Sequence, residues 1–203
     1  MISRLQEKAH LRACKYVEDF PDVPRGLLFH GPCGVGKTHL SVAILKTLIQ
    51  EKLVAGTFVD EAELLRRLQY SYGPGSPETE REVMIPLSEI DLLVWDDLGT
   101  GRPTDWVRET IRTVINHRYT YKKLTILSTN WPLQAKTGSS PPSGKINTAI
   151  KESLEERIGK RLFSRIMEMC EVVKIEGPDY RTEIDKASRD SNQKKTEAND
   201  PNG

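Results

Sequence analysis

Residues 31–38 read Gly31-Pro32-Cys33-Gly34-Val35-Gly36-Lys37-Thr38, a complete GxxxxGK[ST] pattern. Glycines let the backbone curl so that its N–H groups converge on phosphate oxygens. A helix starting at the same place adds partial positive charge. In such a loop Lys37 reaches the outer phosphates of a nucleoside triphosphate, and Thr38 offers a hydroxyl to Mg²⁺. Further along, Leu92-Leu93-Val94-Trp95 is closed by two acids, Asp96 and Asp97. The first acid, at the tip of a buried strand, can meet the metal. The second can orient or deprotonate an attacking water. Asn130 follows another apolar strand and can help hold that water, although Asn130-Trp131-Pro132 is also a good turn. Arg165 carries the guanidinium that phosphoryl transfer often uses against transition-state charge. On pattern alone it fits a solvated helix face equally well.

These residues need elements to place them. A strand over 26–30 enters the phosphate loop, and a helix from the loop runs to about residue 52. Before it, Ile2, Leu5, Ala9, Ala13, Val17 and Phe20 are spaced for a helix over 2–20, ended by Pro21 and Pro24. Residues 56–60 read as a second strand. Asp60 and Glu63 open a helix bearing Leu64, Leu65 and Leu68, which Gly73-Pro74-Gly75-Ser76-Pro77 breaks. Strands are expected over 91–97 and 124–129, with a helix from about 105 to 120 between them that turns Val107, Ile111, Val114 and Ile115 inward. A loop is expected over 132–147. Leu154, Ile158, Leu162 and Ile166 form one helical stripe, and a last strand spans 171–175. Alternating strands and helices make an α/β fold with a parallel sheet covered on both faces. Residues 1–181 form the core, and 182–203 read as a disordered polar tail.

Composition excludes several classes. At 203 residues and net charge +1, the chain suits one α/β domain and not a strongly basic nucleic-acid binder. Cys14, Cys33 and Cys170 are few, odd in number and widely spaced, as in a reduced cytoplasmic protein with neither disulfide framework nor zinc site. No apolar run is long enough to span a membrane, and no secretory leader is visible.

The set as a whole resembles the AAA+ P-loop ATPases. Within them it is similar to the DnaC/IstB-like branch of bacterial helicase loaders and transposition helper ATPases. The residues that carry the likeness are Gly31 to Leu40, Leu93-Val94-Trp95-Asp96-Asp97-Leu98-Gly99, Asn116-His117-Arg118-Tyr119, Thr125 to Asn130, Ser164 to Cys170 and Gly177-Pro178-Asp179-Tyr180-Arg181. The resemblance implies an AAA+ core with a five-stranded parallel sheet flanked by helices, without a C-terminal lid domain. It implies ATP with Mg²⁺, held by Gly31 to Thr38 and His39 with the metal on Thr38 and Asp96. Asp97 and Asn130, the latter as sensor-1, would act on the water. Arg165 would be an arginine finger serving ATP on a neighbouring subunit, which requires a homo-oligomeric ring or spiral. Arg181 is a further candidate near phosphate. The implied partners are a DnaB-type replicative helicase and single-stranded DNA, in DNA replication and away from membranes.

Loaders of this branch carry an N-terminal helicase-binding module. Here the core begins near residue 1, which fits a fragment, a shortened paralogue or a wrongly assigned start alike. Asp97 stands where faster AAA+ motors carry Glu, which implies slow hydrolysis or a nucleotide switch. Arg66, Arg67, Tyr70 and Tyr72 offer phosphate and base contacts for single-stranded DNA, and are also ordinary helix-surface residues. An IstB-like transposition helper and a P-loop small-molecule kinase are the alternative functions; the paired acids and Asn130 speak against the kinase.

Overall fold

The computed structural model describes residues 3–135 and 152–180. The expected tail over 182–203, Arg181 and most of the 132–147 loop lie outside these residues.

Among the described residues twelve elements follow one another: α1 (Arg4–Asp19), β1 (Gly26–His30), α2 (Lys37–Lys52), β2 (Gly56–Asp60), α3 (Glu61–Ser71), α4 (Glu80–Glu89), β3 (Leu92–Asp96), α5 (Asp105–Thr120), β4 (Leu124–Thr129), α6 (Leu154–Ile158), α7 (Lys160–Met169) and β5 (Cys170–Lys174). The strands form one parallel sheet in the order β2-β3-β4-β1-β5.

Strand residues alternate between the two sides, as the twofold period of a strand requires. Leu27, Phe29, Leu92, Val94 and Ile126 pack with Ala9, Ala13, Tyr16, Ile44 and Leu48 of α1 and α2. Leu28, Leu93, Trp95 and Leu127 pack with Leu64, Leu68, Val114, Ile115, Leu162 and Ile166 of the opposite layer. Both faces are covered, so the central strands are mostly apolar, with Thr125, Ser128 and Thr129 of β4 buried and hydrogen-bonded. Trp95 fills the second core with none of its surface exposed.

The connections explain where a ligand can sit. The β1–α2–β2 crossover lies on one face. The β4–α6–α7–β5 crossover lies on the other. β1 and β4 are neighbours whose chains depart to opposite sides, which opens a crevice at their carboxyl ends.

Several elements differ from the sequence expectation. The first helix starts at Arg4, because Ser3 caps it: Ser3 Oγ accepts from Gln6 N (3.1 Å), and Gln6 Oε1 accepts from Ser3 N (2.9 Å). The helix α4 was not anticipated, since Pro86 interrupts its pattern. A reciprocal Thr79–Glu82 cap and the burial of Val83, Met84 and Leu87 hold it, although Pro86 forfeits one intrahelical bond. The single stripe from Leu154 to Ile166 is two helices. Gly159 stands between them at φ 88, a conformation that only glycine adopts at no cost. The last strand starts one residue early, at the buried Cys170.

Candidate nucleotide-binding site

The phosphate loop is anchored by what precedes and follows it. β1 is buried from Gly26 to Phe29, and Val35, midway through the loop, drops into the core with 4% of its surface exposed. Gly36 turns the chain into α2 at φ 103. Pro32, Cys33, Thr38 and His39 are exposed on the outer side. Two distant segments hold the loop from behind. Tyr180 N donates to Gly34 O (3.0 Å), and Gln6 Nε2 donates to Val35 O (3.3 Å). The Gly177–Tyr180 segment and the start of α1 are thus part of the loop's support, which sequence spacing did not show.

Lys37 is almost wholly buried. Its ammonium donates to Gly31 O (3.0 Å), Pro32 O (2.8 Å) and Asn130 Oδ1 (2.5 Å). Asn130 in turn donates from Nδ2 to Asp97 Oδ1. One chain of contacts therefore joins the phosphate-loop lysine, the tip of β4 and the second acid after β3. Asp97 holds a left-handed backbone at φ 56, which aims its side chain back toward Asn130; such a conformation costs a non-glycine residue about 1 kcal/mol.

Asp96 is buried at the end of β3. Its Oδ2 accepts from Thr38 Oγ1 (2.8 Å) and its Oδ1 accepts from Ser128 Oγ. The same Ser128 oxygen accepts from Asp97 N (3.0 Å). Ser128 thus ties the two acids to β4. It stands in the Ser128-Thr129-Asn130 run, and only the adjacency of β3 and β4 shows its contact with the acids. A hydroxyl and a carboxylate brought to one point form a hard oxygen pair, the donor chemistry that suits Mg²⁺ beside phosphate. Among the described residues no group of three or more His, Cys, Asp or Glu could hold a metal alone.

Arg165 lies apart from this network. Its Nη1 donates to Asn116 Oδ1, and its guanidinium stands 5.3 Å from the Tyr119 ring centroid on α5. The Tyr119 hydroxyl donates to Glu168 (2.7 Å). Asn116-His117-Arg118-Tyr119 thereby supplies a cradle for Arg165. Of the candidate DNA contacts, Arg67 is paired with Glu78 and Tyr72 accepts from Trp106 Nε1 (3.2 Å). Arg66 Nε donates to Ala62 O of its own helix (3.3 Å), and Tyr70 is 79% exposed.

The family profile described as "IstB-like ATP binding protein" matches residues 4–188. The chain belongs to the IstB-like ATP binding protein family. Among curated relatives, the replicative helicase loader DnaI of Bacillus subtilis is 30% identical over 160 residues, which cover 77% of this chain and 48% of DnaI. The replicative helicase loader DnaC of Escherichia coli is 28% identical over 162 residues, covering 79% of this chain and 58% of DnaC. The chain thus spans about half the length of these relatives. Among solved structures, a crystal structure of the DnaC helicase loader superposes with a TM-score of 0.68 at 34% identity, over 86% of this chain and 92% of that one. The fold is the AAA+ P-loop core. In this IstB-like chain no helix among the described residues is long and apolar enough to cross a membrane.

Proposed function

We propose that the chain binds ATP with Mg²⁺, hydrolyses it slowly at a site completed by a second copy, and acts as a DnaC-type helicase loader on single-stranded DNA with a DnaB-type replicative helicase. The observation that carries the reading is the Lys37–Asn130–Asp97 chain beside the Thr38–Asp96 pair, at the crevice between β1 and β4. The likeness to proteins named replicative helicase loaders supports the biological role.

The backbone N–H groups of Gly34 to Thr38 would bind phosphate oxygens, and Lys37 would exchange loop carbonyls for the β- and γ-phosphates. Thr38 and Asp96 would hold Mg²⁺, which supplies charge neutralisation on the phosphate oxygens. Asn130 occupies Asp97 Oδ1 and so leaves Oδ2 to accept a proton from water. That water's oxygen bonds to the γ-phosphorus as the bond to the bridging oxygen breaks. The products are ADP and phosphate, and Asp97 returns its proton to solvent. Asp97 is a short base and reaches less far than Glu, which suits slow turnover. Arg165, turned toward α5, would serve ATP on the neighbouring copy.

The test is ATP turnover against protein concentration, with and without single-stranded DNA. Specific activity should rise with concentration and respond to DNA. Arg165→Ala should lose turnover, about a thousandfold for a finger of this kind, while still binding ATP. Mixing Arg165→Ala with Lys37→Ala should restore part of the activity, because some interfaces then pair an intact phosphate loop with an intact finger. Concentration-independent turnover with normal activity in Arg165→Ala overturns the shared site. A response to duplex DNA alone overturns the loader role.

A further inference from the structure

The loop after Asp97 is held in an unusual way. Glu61 heads α3 with none of its surface exposed. One carboxylate oxygen accepts from Gly99 N (2.8 Å) and the other from Gly101 N (2.8 Å). On the opposite side Arg157 of α6, 8% exposed, donates from Nε to Gly99 O and from Nη2 to Gly101 O (2.7 Å). The same two glycine residues thus have their N–H groups taken by an acid and their carbonyls taken by an arginine.

Arg157 also reaches the second loop of the site. Its guanidinium lies over the Trp131 ring, 3.9 Å from the centroid, directly after Asn130. The backbone of α6 is fastened to that loop as well, through Leu154 N to Pro132 O (2.8 Å) and Glu155 N to Leu133 O (3.2 Å). Glu152 pairs with Arg157 Nη1 at 2.5 Å and leaves the fork itself for the two carbonyls. Gly99 stands at φ +85, a backbone conformation that side-chain-bearing residues rarely adopt, and a Cβ there would push Leu154 Cδ1 aside.

Burying Glu61 carries a cost. Burial pushes its carboxyl upward, and the two backbone donors pull it back toward the ionised form. Apolar side chains could close a loop without that penalty. What a carboxylate and a guanidinium add is a fixed geometry for four peptide groups just after Asp97, with the same guanidinium stacked on Trp131 beside Asn130.

We infer that Glu61 and Arg157 are positioning residues for hydrolysis, locking the Asp97–Gly101 and Asn130–Leu133 loops in one register so that Asp97 and Asn130 meet over the water. The inference rests on the ATPase reading above. Neither side chain touches the nucleotide loop, so both act on the rate and not on binding.

The experiment compares wild type with Glu61→Gln and Arg157→Lys. The glutamine keeps the shape but turns an N–H₂ against one of the two backbone donors. The lysine keeps the charge but not the fork. Four quantities are read on each protein: ATP turnover, affinity for a fluorescent ATP analogue, amide hydrogen exchange at Gly99 and Gly101, and melting temperature. Both variants should bind the analogue within about threefold of wild type, exchange the two amides faster and lose about 10–100-fold in kcat, the scale expected when a reacting group is misplaced by a fraction of an ångström to an ångström. Faster exchange with unchanged kcat overturns positioning, and unchanged exchange overturns the clamp. Loss of binding and turnover together with a collapsed melting temperature in both variants reduces the pair to structural bracing and also overturns the inference. A wild type without turnover under every condition fails the ATPase reading itself and takes the inference with it.

Discussion

Two buried cations stand at opposite ends of the parallel sheet. Arg118 lies at the end where the strands begin, fully enclosed, donating to the carbonyls of Leu87 (2.9 Å), Ser88 (3.3 Å), Ile90 (2.8 Å), Asp91 (3.4 Å) and Leu124 (2.5 Å) and to Thr125 Oγ1 (2.9 Å). Lys37 lies where the strands end, bound to two loop carbonyls and to Asn130. Arg118 is satisfied mostly by backbone that no ligand can displace. It closes the α4–β3 turn onto β4, and burial drives its guanidinium down to about 10 without releasing the proton at neutral pH. Lys37 is satisfied by a loop and a side chain that a phosphate can replace. A buried charge caged by backbone carbonyls is structural, and one held by exchangeable partners beside a helix N-terminus suits the anion site proposed above.

Breaking each cation should separate the two roles. Arg118→Met should cost the most, about 3–5 kcal/mol of stability, because it leaves buried carbonyls without donors. Denaturant unfolding checks this, and a loss under 1 kcal/mol would end the contrast. Lys37→Ala should weaken ATP about 100-fold, equivalent to about 2.7 kcal/mol, while the unfolding midpoint barely moves. Equilibrium binding of a fluorescent ATP analogue reads the first, and a melting curve the second.

A half-exposed cation sets the lower end of the scale. Arg12 of α1 forms a two-pronged pair with Glu171 of β5 (2.7 and 2.8 Å), with side chains 23% and 39% exposed. The arginine holds the Glu171 carboxyl below the usual range. Its contribution is therefore present above about pH 4.5, the unfolded value, and is lost as pH falls through the lower folded value. Solvent screening keeps it to about 0.5 kcal/mol. Glu171→Gln should be less stable than wild type by that amount at pH 7 and equal to it near pH 2, measured by urea unfolding at both pH values.

The central strands were legible because each is short and rich in buried apolar residues; β1, β2 and β4 coincide with their expected spans. The α4 helix was hidden by Pro86, and the break at Gly159 by an apolar stripe that continues through it. The phosphate-loop residues and the paired acids were readable from spacing, since GxxxxGK[ST] and an acid-terminated strand are local patterns. Glu61 and Arg157 had no such signal. An acid opening a helix and an arginine within one are ordinary where they stand, and their meaning comes from Gly99 and Gly101, far away along the chain.

The sequence by itself determined that a phosphate-binding loop, two acids on a strand tip and an asparagine on another exist in one α/β chain, because each depends on near neighbours. Which of them meet was decided only by strand order. Lys37 and Asn130 are 93 residues apart and Thr38 and Asp96 are 58 apart. They touch because β4 lies between β1 and β3, an arrangement fixed by packing both faces of the sheet at once and not by any single segment.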